Sequence, residues 1–295
     1  MAIFTGAGVA IITPFHEDGS INYNKLEELI DFQCNNGTDS IIICGTTGES
    51  ATLSEAEHVE VIKKAVEFTR GRIPVVAGTG SNNTMTAIEL SKEAEAAGAD
   101  GLLMVTPYYN KATQQGLIQH YTAVAKEVKV PIIVYSVASR TGCNVEPATM
   151  ATLFKNVENI VGIKEASGNI SQIAEIAALC GDEIDIYSGN DDQVVPIMSL
   201  GGKGCISVLS NLLPKESSLM CKKFAEGDVK GACKMQLDYL PLINALFSEV
   251  NPIPVKAAMA KMGFCEDYLR LPLTPMEDKT REVLYNEMRK VGINI

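Results

Sequence analysis

Hydrophobic positions along this chain recur in a two-part unit. A short, nearly unbroken apolar run is followed by a longer stretch in which apolar residues return every three or four positions, and the unit repeats about every 25 to 35 residues. The apolar runs cover 8–13, 40–45, 74–78, 101–106, 131–135, 159–168, 184–188 and 204–208. Runs that are apolar throughout, rather than alternating, belong to parallel strands covered on both faces. Eight such units within about 220 residues predict a closed (β/α)8 barrel, an α/β fold, rather than an open doubly wound sheet.

The stretches between the runs carry helix punctuation. Ser54-Glu55-Ala56-Glu57 reads as a capping box opening a helix with Val59, Ile62 and Val66 inward and Gly71 as its stop. Asn83-Thr84 begins the next, with Ala87, Leu90, Ala94 and Ala97 inward and Gly98 at its end. After Val208 no strand follows, only helical stretches over about 213–226, 229–247, 252–262 and 277–292. This predicts a catalytic barrel over 1–226 and a C-terminal helical domain over 227–295, with Asn251-Pro252 and Leu271-Pro272 marking breaks.

Bulk composition narrows the function classes. A net charge of −11 argues against nucleic-acid or anionic-membrane partners, which need basic patches. No apolar run reaches the roughly 18 residues that cross a bilayer, and the first residues lack the pattern of a secretory signal, so a cytoplasmic location is expected. Eight cysteines without paired spacing suit a reducing compartment. His16, His58 and His120 are too far apart for a zinc motif, so no metal is expected.

The run 159–168 carries the first candidate chemistry, because Lys164 interrupts it. Burial disfavours an ammonium and leaves a neutral amine able to attack a carbonyl; equally, a strand lysine can snorkel to solvent or pair with its neighbour Glu165. Barrel active sites lie at the C-terminal ends of the strands. Those ends supply Gly45-Thr46-Thr47-Gly48-Glu49-Ser50, whose hydroxyls and N–H groups can hold a carboxylate, or which is an ordinary glycine-rich turn. They also supply Tyr135, a proton shuttle or a packed rim aromatic, and Arg140, a carboxylate fork or a solvated loop cation. Together at one mouth, a lysine, a tyrosine, a Thr-Thr loop and an arginine are the equipment of a Schiff-base reaction on a 2-oxo acid, in which the iminium acts as electron sink.

Gly45-Thr46-Thr47-Gly48-Glu49, Thr106-Pro107-Tyr108-Tyr109, Ser139-Arg140-Thr141-Gly142 and Gly162-Ile163-Lys164-Glu165 resemble the pyruvate-dependent class I aldolases and, within them, the dihydrodipicolinate synthase family, over a span from Gly8 to about Leu273. The resemblance implies a lyase-type enzyme of lysine and diaminopimelate biosynthesis. It would condense pyruvate with L-aspartate 4-semialdehyde to 4-hydroxy-tetrahydrodipicolinate through a covalent pyruvate Schiff base on Lys164, with no separate cofactor. Tyr135 would exchange protons in a relay with Thr46 and Tyr109. Thr47, Ile206 and Gly189 would bind pyruvate, and Arg140 the carboxylate of the aldehyde. In that family the counterpart of Tyr109 enters the neighbouring subunit's site, which implies a homo-oligomer, a tetramer built as a dimer of dimers.

Two departures matter. The family usually has Asn-Val-Pro before Ser-Arg where this chain has Ser136-Val137-Ala138, which predicts a looser Arg140 loop. In lysine-sensitive members an effector pocket maps to Ser50, Ala51, Glu55, His58, Asn82, Thr86 and Tyr108. Thr86 stands where those members carry a glutamate and Glu55 where they carry a histidine, which predicts a degenerate pocket and weak or absent feedback by L-lysine. Sister enzymes, N-acetylneuraminate lyase and 2-keto-3-deoxy-sugar-acid aldolases, share the lysine, the tyrosine and the Gly-x-Thr-Gly-Glu loop; Ser139-Arg140-Thr141-Gly142 speaks against them. An inactive barrel serving as a binding module is the reading from another class, and the intact Lys164, Tyr135 and Thr46 set speaks against it.

Overall fold

The structure is a computed structural model that describes residues 2–295. Eight strands are present at the eight apolar runs, the first shifted toward the N-terminus from the expected 8–13: β1 (Gly6–Ala10), β2 (Ser40–Ile43), β3 (Val75–Gly78), β4 (Gly101–Val105), β5 (Ile132–Ser136), β6 (Ile160–Glu165), β7 (Asp185–Ser188) and β8 (Gly204–Ser207). They are parallel and in sequence order, and β8 returns to β1 to close the barrel. Because successive side chains face opposite sides of a strand, each strand feeds two cores. Ala10, Ile42, Val76, Leu103, Ile133, Tyr135, Tyr187 and Ile206 fill the barrel, and Phe4 stacks on Tyr187 with ring centroids 4.5 Å apart. Val9, Ile41, Ile43, Leu102, Val134, Ile163 and Ile186 belong to the larger core beneath the surrounding helices. Both faces are apolar, so the strands show no alternation in sequence.

The capping box at Ser54 is formed on both sides, and the helix Glu55–Thr69 follows. Its buried face is His58, Val61, Ile62, Ala65 and Thr69, while Val59 and Val66 lie half-buried on the flank. The stripe is offset from the expected one because His58 is buried: its Nε2 meets the Gly78 carbonyl oxygen at 2.7 Å, which satisfies the ring inside the protein. In the helix Thr84–Ala96, Ala87, Leu90 and Ala94 are buried as expected, together with Ser91, and Ala97 is a half-buried cap.

Four helices follow β8: Pro214–Ala225, Val229–Leu246, Ile253–Lys261 and Asp278–Lys290. Ile253–Lys261 is buried on nearly every side, Lys256 included. The junction before it brings Phe247 and Asn251 to the barrel mouth. Among the described residues no helix is long and apolar enough to cross a membrane.

Candidate active site

Parallel pairing places Tyr135 of β5, Lys164 of β6 and Tyr187 of β7 side by side. Lys164 is 7% exposed, and its Nζ lies 4.2 Å from the centre of the Tyr135 ring. The neighbouring Glu165 faces the other way, where Gln172 Nε2 donates to it at 2.8 Å and the Ser167 hydroxyl at 3.1 Å. Lys164 therefore neither snorkels nor pairs with Glu165. Burial lowers its pKa to about 8; the Asp191 carboxylate pulls in the opposite direction and the Arg140 charge in the same one. Asp191 is itself buried, accepting the N–H groups of Val208 and Leu209 at 2.9 Å each, and burial raises its pKa.

A cavity of about 180 Å³ opens above Lys164, and its wall brings together Thr46, Thr47, Tyr135, Arg140, Lys164 and Gly189. Burial raises the Tyr135 phenol, while the Arg140 charge and a hydrogen bond with the Thr46 side chain act to lower it. Gly189 is needed for space: a Cβ there would stand 2.7 Å from the Ala166 Cβ and 3.1 Å from the Lys164 Cε. Ile206 packs in the barrel core beneath the cavity rather than in its wall, and Tyr109 lies 92% exposed on the surface with φ 68°. The Arg140 loop forms the four-residue helix Ala138–Thr141. Thr106 Oγ1 donates to Thr141 Oγ1 at 3.0 Å, and Arg140 Nη2 donates to the Asn251 carbonyl at 3.3 Å.

A sequence profile described as the dihydrodipicolinate synthetase family matches residues 3–290. The chain belongs to that family. A relative from Lachnoclostridium phytofermentans, 4-hydroxy-tetrahydrodipicolinate synthase, is 63% identical over 293 residues, covering 99% of this chain and all of the relative. The crystal structure of dihydrodipicolinate synthase from Aquifex aeolicus superposes with a TM-score of 0.97 at 45% identity, covering 98% of this chain and 99% of that one. The Cyanidioschyzon merolae enzyme, solved with lysine bound, superposes with a TM-score of 0.97 at 38% identity over the whole of both chains.

A second, larger cavity of about 490 Å³ lies beside the first and shares Thr46, Arg140 and Asn251 with it. Its wall includes Ser50, Ala51, Glu55, His58, Thr86 and Tyr108. Asn82 is not part of that wall; its carbonyl accepts Asn110 Nδ2 at 3.0 Å. Among the described residues no three His, Cys, Asp or Glu side chains gather as a metal site.

Three residues at the site escaped the sequence reading. Asp191 follows β7, just past the run 184–188, in the same strand-end position that marked the other candidates. Asn251 donates through Nδ2 to Thr47 Oγ1 at 3.0 Å from 204 positions away. Lys256 holds Glu49 in a buried ion pair. Lys256 left a different signal, a lysine inside the apolar stretch Ile253–Lys261, the same signal that marked Lys164; Asn251 left none.

Proposed function

We infer that this chain condenses pyruvate with L-aspartate 4-semialdehyde to give 4-hydroxy-tetrahydrodipicolinate and water, the reaction of its relatives in lysine and diaminopimelate biosynthesis. The observation that carries this reading is a buried lysine without a carboxylate partner, lying under the Tyr135 ring at the floor of a cavity that also presents Thr46, Thr47 and Arg140. The depressed pKa gives a larger neutral fraction at neutral pH than an exposed lysine has. That amine attacks the ketone of pyruvate, Tyr135 delivers the proton with which water leaves, and the resulting iminium bears the substrate covalently. A proton then leaves the methyl carbon and the iminium takes up the electron pair. The enamine attacks the aldehyde carbon, whose oxygen is protonated to the 4-hydroxyl, and the amino group of the semialdehyde then attacks the re-formed iminium carbon, closing the ring and releasing the Lys164 amine. Neither a metal nor a separate cofactor enters these steps.

Thr47 and the backbone around it serve the pyruvate carboxylate, beside Gly189 and above Ile206, while Arg140 takes the carboxylate of the aldehyde. Thr46 joins Tyr135 in the proton relay. Tyr109, exposed on a single chain, reaches a relay only in a neighbouring copy, so the working form is a homo-oligomer, a tetramer built from two dimers, in the cytoplasm. Sedimentation at assay concentration tests this; an active monomer contradicts it.

Borohydride reduction in the presence of pyruvate tests the chemistry. One pyruvyl unit per chain on Lys164 is expected, followed by turnover with aspartate semialdehyde and none with N-acetylneuraminate. Labelling at another lysine overturns the reading.

A further inference from the structure

Glu49 ends the Gly45–Glu49 loop in the left-handed region, with φ 53° and ψ 36°. A non-glycine residue holds such a conformation only where its surroundings over-determine it. Here the side chain supplies the determination. Glu49 Oε1 lies 2.5 Å from Lys256 Nζ, both side chains are fully removed from solvent, and Oε2 accepts the Arg270 N–H at 3.2 Å. The Phe15 ring lies 4.0 Å from the Lys256 ammonium, so the pair is enclosed by an aromatic face.

Both partners of Glu49 belong to the C-terminal segment, and the same segment grips the loop a second time through Asn251 and Thr47. The loop is also turned tightly on itself, Gly48 N–H donating to the Gly45 carbonyl and Glu49 N–H to the Thr46 carbonyl, each at 3.1 Å. A force applied at Glu49 is therefore felt at Thr46 and Thr47. Stability alone does not call for such a pair, because well-packed apolar residues of similar volume often serve as well or better.

We propose that Glu49 and Lys256 are positioning residues: their buried ion pair fixes Thr46 and Thr47, and through it the C-terminal segment sets how tightly the barrel mouth holds pyruvate. The proposal rests on the reading of the cavity as a pyruvate site.

The test uses the full chain as Glu49→Gln, Lys256→Met and the double variant. Amide hydrogen exchange is followed over residues 45–50, alongside the pyruvate concentration that half-saturates borohydride trapping. Either single variant is expected to exchange about tenfold faster in the loop and to need about tenfold more pyruvate, while the double variant is no worse than the worse single. A folded single variant with a lower melting temperature but unchanged pyruvate half-saturation overturns the proposal, as do fully additive losses in the double variant. Should Lys256→Met fail to fold, Glu49→Gln, which keeps the side-chain volume, decides alone. If the unaltered chain is not trapped by pyruvate, the functional reading falls. Exchange then still judges the pair, since unchanged protection at 45–50 shows that it does not hold the loop.

Discussion

Lys164 on β6 and Lys256 in the helix Ile253–Lys261 occupy comparable surroundings. Each interrupts an apolar stretch, they are 7% and 0% exposed, and each ammonium lies beside an aromatic ring, at 4.2 Å from Tyr135 and 4.0 Å from Phe15. Burial lowers both pKa values. The difference is the partner. Lys256 touches a carboxylate at 2.5 Å, whereas Lys164 has Asp191 only as a charge acting at a distance, with that carboxylate occupied by two backbone N–H groups. A carboxylate in contact opposes the effect of burial and favours the ammonium, which then tethers structure. Without that contact, burial leaves a larger neutral fraction than an exposed lysine has, and that fraction is the nucleophile. The carboxylate, more than the depth of burial, decides the role.

The largest test of that contrast removes each ammonium in turn. Lys164→Met is expected to cut turnover by roughly 10⁴-fold or more, the scale of losing a nucleophile, and to leave the melting temperature unchanged or higher, since it removes a buried charge without a contact partner. Lys256→Met is expected to destabilise by roughly 3–5 kcal/mol, because Glu49 is left buried and uncompensated. Calorimetry of the two variants side by side checks this, and equal losses of stability would break the comparison.

Next in size is the proton shuttle. Tyr135→Phe keeps the ring beside Lys164 and should lower turnover by roughly 10²-fold with the fold intact. Arg140→Ala should raise the half-saturating aldehyde concentration while trapping by pyruvate persists. A loss of trapping in that variant would mean that Arg140 serves pyruvate instead.

The pH dependence sharpens the same contrast. The folded-state pKa of Lys164, about 8, lies below the value of 10.5 for a free lysine. Below pH 8 the amine is charged in both states and the cost of burying it is fully present. Between pH 8 and 10.5 the unfolded chain binds a proton that the folded chain does not, so stability from this group rises with pH. Wild type should therefore gain stability relative to Lys164→Met across that window. The rate of pyruvate trapping should rise with an inflection near pH 8 instead of near 10.5.

The smallest expected effect is at the second cavity. Thr86, on its wall, offers a hydroxyl and no carboxylate to an ammonium, and lacking a charge-assisted bond weakens binding by about 1.5–3 kcal/mol. A titration with L-lysine should leave half-inhibition above about a millimolar, a binding free energy near −4.1 kcal/mol. Tighter inhibition would show that Glu55, on the wall of the same cavity, supplies the missing charge.

The barrel was legible in the sequence because its cause is local and repeated. Each strand is apolar on both faces, each connection holds a helix-length periodic stretch, and eight repetitions leave little room for another closed arrangement. Ser54, Asn83 and Gly98 marked helix ends for equally local reasons, since caps act within a turn. Lys164, Tyr135, Thr46, Thr47 and Arg140 were legible because each follows or ends a strand, and strand ends converge at one mouth by topology alone.

The tertiary structure decided what depends on residues far apart in the chain. That Lys164 faces the cavity while Glu165 turns outward follows from the register of β6 between β5 and β7. His58 is buried because the Gly78 carbonyl happens to meet it across the helix–strand interface. Asn251 and Lys256 reach Thr47 and Glu49 across 204 and 207 positions. No periodicity encodes such contacts, because hydrogen bonds and ion pairs depend on distance in space, and the folding of the C-terminal helices over the mouth sets that distance.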